Sequence, residues 1–269
     1  MNLRDRLCAP RDQRIRLGRI DPGGTPGARD KDEAQVEVEK NLPKLFDLQY
    51  RLYAENRRSL LVVLQAMDTA GKDGVIRYVF AGLNPQGCAV TAFKVPSAEE
   101  SGHDFLWRVH RAVPSRGDIG IFNRSHYEEV LVVRVHDLVP KKVWSKRYEQ
   151  INAFEKYLAD DHTVIVKLFL HISKKEQLER LKARVADPLK QWKFSEGDLA
   201  ERRRWDDYVE AYEDAIEKCN RPWAPWYIIP ADHKWYRNFA VSRILVETLQ
   251  EMDPRIPPPS IDAKKIRLR

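Results

Sequence analysis

Residues Ser59 to Phe80 read SLLVVLQAMDTAGKDGVIRYVF. A short apolar, β-branched run from Leu60 to Leu64 breaks into the small-residue loop Ala66-Met67-Asp68-Thr69-Ala70-Gly71-Lys72. A periodic apolar segment then runs through Val75, Ile76, Val79, Phe80 and Leu83. Strand, phosphate-sized loop and helix in that order turn backbone N–H groups and a helix N-terminus toward an anion. Lys72 falls where its ammonium reaches terminal phosphates. The usual pattern is G-x-x-x-x-G-K-[ST], and this chain departs from it twice: Ala66 stands for the first Gly, and Asp73 for the hydroxyl residue that helps hold Mg²⁺. A plain parallel-sheet strand with an ordinary loop and a surface lysine is the competing reading.

Working outward, 269 residues make one sizeable domain or two small ones, enough for a full α/β core. A composition of 43% hydrophobic and 32% charged residues describes a soluble globular chain, so a membrane-spanning protein is not expected. The N-terminus lacks the apolar core of a signal peptide. Cys8, Cys88 and Cys219 are far apart and lack metal-ligand spacing, which points to a reducing cytoplasm and against zinc or thiol chemistry. The formal net charge of +7 suggests an anionic partner, although charge alone decides nothing, since a basic pI more often has a bland explanation. Its Lys and Arg residues are dispersed beside the loops instead of gathered in one tail, as a nucleic-acid arm would be.

Strands alternate with helices along the chain. Residues 1–29 are basic, Gly- and Pro-rich and aperiodic, and read as an extended surface segment. Lys31 to Arg58 fits a helix with a break expected at Pro43. Cys88 to Val95 and Asp118 to Phe122 read as strands, with a helix opened by the capping box Ser97–Glu100 and running to Val113 between them. Lys141 to Leu158 is helical, and Thr163 to Ile172 is a strand buried on both faces. A helix from Ser173 to Val185, a loop around Pro188 and one long helix from Ser195 to Cys219 follow. Trp226 to Pro230 is the last strand and Trp235 to Met252 the closing helix. The pattern predicts a P-loop kinase-like α/β three-layer sandwich over residues 30–252. Its parallel sheet has about five strands with helices on both faces, and a helical lid lies around 175–200. Residues 253–269 form a Pro-rich basic tail.

Two further clusters carry chemistry. Ile121-Phe122-Asn123-Arg124-Ser125-His126-Tyr127-Glu128-Glu129 ends the third strand. P-loop proteins commonly place an acidic residue there to hold the metal; here the position carries Asn123, and Arg124 beside it is suited to clamp a phosphate. His126 reads more readily as a hydrogen-bonded structural residue than as a base. Glu128 is either part of a solvated helix start or a metal ligand. In the second cluster Arg180 and Arg184, at i and i+4, share one helix face ahead of Asp187-Pro188-Leu189-Lys190-Gln191-Trp192-Lys193. That face is either exposed and paired with Glu176 and Glu179, or a lid whose arginines neutralise a transferring group.

QAMDTAGKDG, FNRSHYEEVLVVRV, LHISKKEQLERLKARVADPLKQWKFS and APWYIIPADHKWYRN, in this order and spacing over Leu48 to Val246, resemble the family-2 polyphosphate kinases. Asp73 and Asn123 are similar to the family's third class, which phosphorylates nucleoside mono- and diphosphates. The resemblance implies Mg²⁺-dependent transfer from polyphosphate to AMP and ADP, with Mn²⁺ as a substitute metal and ATP among the nucleotides bound. It implies a catalytic set of Asp68, Lys72, Asn123 and Arg124, with metal at Asp68 and Glu128. Phosphates would be held by Ala70, Gly71, Asp73, Gly74 and Arg134, and by Arg180, Arg184, Lys190 and Lys193 in the lid. A dimer or tetramer is expected. An ATP-dependent nucleotide or small-molecule kinase shares the loop and lid; a non-enzymatic polyanion or nucleic-acid binder is the alternative of another class. No helix-turn-helix, zinc or stacking-platform signature favours nucleic acid.

Overall fold

The computed structural model describes residues 2–261. Five strands, β1 (Ser59–Ala66), β2 (Cys88–Ala92), β3 (Ile119–Asn123), β4 (Thr163–His171) and β5 (Trp226–Pro230), form one sheet in the order β2-β3-β1-β4-β5, with every pairing parallel. All eight residues of β1 are buried, because helices cover both faces of a parallel sheet. Its register sets Leu64 opposite Asn123 and Ala66 opposite Leu170, so the loops that follow β1, β3 and β4 leave from one edge. Ligands bind at that edge in open α/β sheets.

The helices are α1 (Leu3–Leu7), α2 (Lys31–Glu55), α3 (Lys72–Val79), α4 (Ala98–Ser101), α5 (Trp107–His110), α6 (Val132–Val135), α7 (Lys141–Asp160), α8 (Lys174–Ala186), α9 (Glu196–Arg203), α10 (Trp205–Cys219) and α11 (Lys234–Met252). The predicted three-layer architecture is present, and four local expectations differ.

The first is α2, which runs through Pro43 without a break; Val38, Leu45 and Leu52 on either side are buried, and Asn41 bonds Ser242 of α11 at 3.2 Å. That packing offsets the bond a proline removes. The second is the helix expected from Ser97 to Val113, which is two short ones: α4 stops at Gly102 and α5 starts at Trp107. The third is the long helix expected from Ser195, which is divided at Arg204. The Arg204 guanidinium donates to the Val135 carbonyl at 2.9 Å, and Trp205 turns into the core.

The fourth is the N-terminal segment, which does more than cover the surface. Leu3, Leu7, Ala9, Ile15 and Leu17 are buried, and the Ala9 N–H donates to the Trp226 carbonyl at 2.8 Å, extending the sheet beyond β5. Apart from the i, i+4 pair Leu3 and Leu7 on the five-residue α1, its anchors come singly, so no sustained periodicity announced them. Residues 253–261 form neither helix nor strand and are mostly exposed, and the remainder of the tail lies outside the described residues.

Candidate active site

The P-loop forms as the spacing of small residues dictates. β1 ends at Ala66, the chain turns through Met67 to Gly71, and α3 starts at Lys72. Thr69 (φ +65°) and Gly71 (φ +110°) are left-handed, whereas Ala66 is not, which is why a side chain is tolerated where the usual pattern has glycine. Gly71 is required twice over. A Cβ there would lie 1.9 Å from Arg237 Nη1, and one on Gly74 would lie 3.1 Å from Arg237 Nη2. Ala70, Gly71, Asp73 and Gly74 are thus all in the loop or the first turn of α3, where the backbone N–H groups gather.

Lys72 donates to the Ala66 carbonyl at 3.1 Å, folding its side chain back across the loop. Burial pulls its pKa below the usual lysine range, against the attraction of Asp68. Asp68 accepts from Arg124 Nη2 at 3.0 Å, an ion pair joining the loops after β1 and β3. Arg124 is itself left-handed (φ +60°), and its N–H donates to the Leu64 carbonyl, so the backbone bends sharply to aim the guanidinium. Asn123 Nδ2 donates to Asp73 Oδ1 at 2.9 Å, occupying the carboxylate that replaces the usual hydroxyl. Glu128 follows in the 3-10 turn His126–Val130 and accepts from Gln65 Nε2 at 3.2 Å. Burial lifts its carboxyl above the ordinary range while Arg124 and Lys72 hold it down.

Asp68, Arg124 and Glu128 face a cavity of about 190 Å³ whose far wall is Trp205, Tyr208 and Tyr212 from α10. It offers apolar and aromatic surface on one side and phosphate-binding charge on the other. Asp68 and Glu128 are the carboxylates positioned to take a share of a hard cation. Among the described residues no group of three or more His, Cys, Asp or Glu side chains forms a complete metal cage. Two carboxylates with phosphate and water oxygens suit Mg²⁺, which seldom takes an all-protein shell.

The remaining residues expected in the site divide. Arg180 is buried, and its guanidinium donates to the carbonyls of Thr69, Ala70, Ala231 and Asp232 and to Glu176. It props the P-loop from the base of the lid. Arg184 joins the two lid helices through the Lys193 carbonyl and Asp198. Lys190 pairs with Asp187, and Lys193 lies over Trp192 at 5.0 Å; both sit at the exposed lid tip. Arg134 is not in the cavity. It pairs with Glu210 and Asp214, hydrogen-bonds Tyr148 and stacks on Trp144 at 4.9 Å, bracing α7 against α10. Its acidic partners lie 76 and 80 positions on, where no local pattern pointed.

Of the tryptophans, Trp226 belongs to the core, Trp192 is exposed and Trp205 alone lines the cavity. His126 is buried against Glu155, as its structural reading held. The sequence reading missed Gln177, which donates to the Asp68 carbonyl at 3.2 Å, and Arg237, which donates to the Ala70 carbonyl at 3.2 Å. Burial, with Arg180 nearby, brings Arg237 down to about 10. Its place in DHKWYRN was the one signal available for it.

A strand–loop–helix with this lysine, on a parallel five-stranded sheet under a two-helix lid, defines a P-loop kinase-like phosphotransferase. The family model "Polyphosphate kinase 2 (PPK2)" matches residues 28–257, and the chain belongs to that family. It is 52% identical to an AMP/ADP-polyphosphate phosphotransferase of Meiothermus ruber over 95% of this chain and 96% of that one. It is 46% identical to an ADP-polyphosphate phosphotransferase of Rhodopseudomonas palustris over 91% and 89%. The crystal structure of polyphosphate kinase 2 from Arthrobacter aurescens TC1 superposes with a TM-score of 0.95 at 42% identity, covering 98% of this chain and 94% of that chain. Among the described residues no helix is long and apolar enough to cross a membrane.

Proposed function

We propose that this protein moves the terminal phosphoryl group of inorganic polyphosphate onto AMP and ADP in the cytoplasm, giving ADP and ATP. The observation that carries this reading is the Asp68–Arg124 ion pair in the wall of an aromatic-walled cavity, with Lys72 of the same P-loop near enough for both charges to act on its ammonium. The likeness to the Meiothermus ruber enzyme supports both acceptors.

In the reaction an acceptor phosphate oxygen forms a bond to the donor's terminal phosphorus as the bridging P–O bond of the chain breaks. Little covalent chemistry falls to the protein; positioning and charge neutralisation carry the rate. The nucleoside occupies the cavity against Trp205 and Tyr208, with its phosphates toward Arg124. The P-loop N–H groups and Lys72 hold the donor end, and the exposed Lys190 and Lys193 give the lid tip a positive charge for the rest of the chain. Mg²⁺, held by Asp68 and Glu128 together with phosphate oxygens, supplies charge neutralisation, and Mn²⁺ substitutes. Phe46, Tyr50 and Tyr53, half-exposed at i, i+4 and i+7 on α2, form the packing face of a dimer or tetramer.

The deciding experiment incubates purified protein with Mg²⁺, AMP and long-chain polyphosphate, and follows ADP and ATP by chromatography. Product with polyphosphate as sole donor supports the reading. Product only with ATP as donor would make this an ordinary nucleotide kinase.

A further inference from the structure

Between its end residues Thr163 and His171, β4 reads as an uninterrupted apolar strand except for one residue. Lys167 stands at its centre, completely buried. Its ammonium donates to Glu155 Oε2 of α7 at 2.6 Å, to the Tyr127 hydroxyl at 2.8 Å and to the Cys219 carbonyl at the end of α10 at 2.7 Å. It also lies 5.2 Å from the ring centroids of both Tyr127 and Trp226. The other oxygen of Glu155 accepts from the Tyr127 hydroxyl at 2.9 Å and meets His126 Nε2 at 3.2 Å. Glu155 and Lys167 have no exposed side-chain surface.

Stability does not account for such a cluster. Taking both charges out of water costs several kcal/mol per ion, and apolar residues of similar volume commonly do as well or better. What apolar side chains lack is direction. The Lys167 ammonium has three N–H donors, and each goes to a different element: the turn after β3, α7 and the end of α10. The first of these follows Arg124 and includes Glu128; the last closes a helix whose opposite half carries Trp205, Tyr208 and Tyr212, about 10–21 Å along its axis from Cys219. These are the two facing walls of the acceptor cavity.

We infer that the buried Lys167–Glu155 pair is a positioning hub that sets the two walls of the acceptor cavity relative to each other, through Tyr127 on one side and the Cys219 carbonyl on the other. The hub touches neither substrate. It bears on the acceptor side, because no residue of the P-loop bonds to it. The inference rests on the reading of this cavity as the nucleotide acceptor site.

Two variants test it. Tyr127→Phe removes the hydroxyl between hub and turn, leaving Lys167 two partners. Glu155→Gln combined with Lys167→Met removes both charges together, so neither is left unpaired, and deletes the tie to α10. ADP binding by isothermal titration without donor, and KM for ADP and for polyphosphate, are measured well below the unfolding midpoint. Displacing a wall by a fraction of an ångström to an ångström costs on the order of ten- to a hundredfold in kcat/KM. The expected result is that loss in ADP binding and in KM for ADP, with KM for polyphosphate within about twofold of wild type. Unchanged ADP binding in a folded Tyr127→Phe variant overturns the inference. So do equal losses for donor and acceptor, which would mark general weakening of the fold. Should the double variant not fold, Tyr127→Phe decides alone. Wild-type protein that binds no ADP would instead sink the acceptor reading, and the hub with it.

Discussion

Replacing Asn123 with aspartate sets a carboxylate where the amide now donates to Asp73 Oδ1 at 2.9 Å. Two effects add: the hydrogen bond is lost, and two like charges face each other. Rotation of both side chains opens the gap to about 4 Å, where two unit charges repel by roughly 1 kcal/mol in water and about 4 kcal/mol near a protein surface. Both residues are partly exposed, so the lower half of that range applies, about 1–2 kcal/mol. For a domain of this size each kcal/mol lowers Tm by about 2–4 °C. Asn123→Asp should therefore melt about 2–8 °C below wild type at pH 8 in chelator.

The sign with pH follows from the pair. Crowding by a second carboxylate raises the folded-state pKa of one member above its unfolded value. The penalty is full above the raised value and disappears as that carboxyl takes up a proton, so the Tm gap should close toward pH 4–5. Added Mg²⁺ should narrow the gap at pH 8 as well. The assay is thermal unfolding of both proteins from pH 4.5 to 8, with and without Mg²⁺, beside kcat/KM for AMP and for ADP at saturating polyphosphate. With a negative charge added beside the transfer point, AMP phosphorylation should suffer more than ADP phosphorylation. Identical melting at pH 8 would refute the contact with Asp73. Equal losses for AMP and ADP would refute a role for Asn123 in acceptor choice.

Lys72→Ala should lower kcat on the order of 10²–10³-fold with Tm nearly unchanged, since it removes a preorganised cation; near-normal turnover would remove the P-loop from the mechanism. Asp68→Asn keeps shape but loses charge toward both Arg124 and a hard cation, so activity should fall sharply and recover partly at high Mg²⁺ or Mn²⁺; an unchanged metal titration would move the metal to Asp73, Glu128 or phosphates alone. Gly71→Ala meets the Arg237 guanidinium at 1.9 Å in a left-handed backbone, and should cost about 2–4 kcal/mol of stability, read as a lower denaturation midpoint; an unperturbed midpoint would mean that Arg237 is not packed there.

The order of strands and helices was legible because the strands are short, mostly apolar runs and several helices (α2, α4, α8 and α9) open on a capping Asp or Ser. β1, β4 and β5 could be placed almost to the residue for that reason. The loop from Ala66 to Lys72 was legible because a phosphate cradle needs small residues at fixed offsets, and offsets are local. Tertiary structure decided which cation does what. Arg134, Arg180 and Lys72 look alike in sequence, since a long charged side chain takes its role from whatever lies within about 3 Å of its tip. For Arg134 that is Glu210 and Asp214; for Arg180 it is the carbonyls of the P-loop and of β5's exit. Lys167 passed unnoticed inside an apolar strand because its three acceptors come from segments between 12 and 52 positions away. Chain folding alone brings such groups together, and directional bonds across that distance leave no periodicity in the sequence that encodes them.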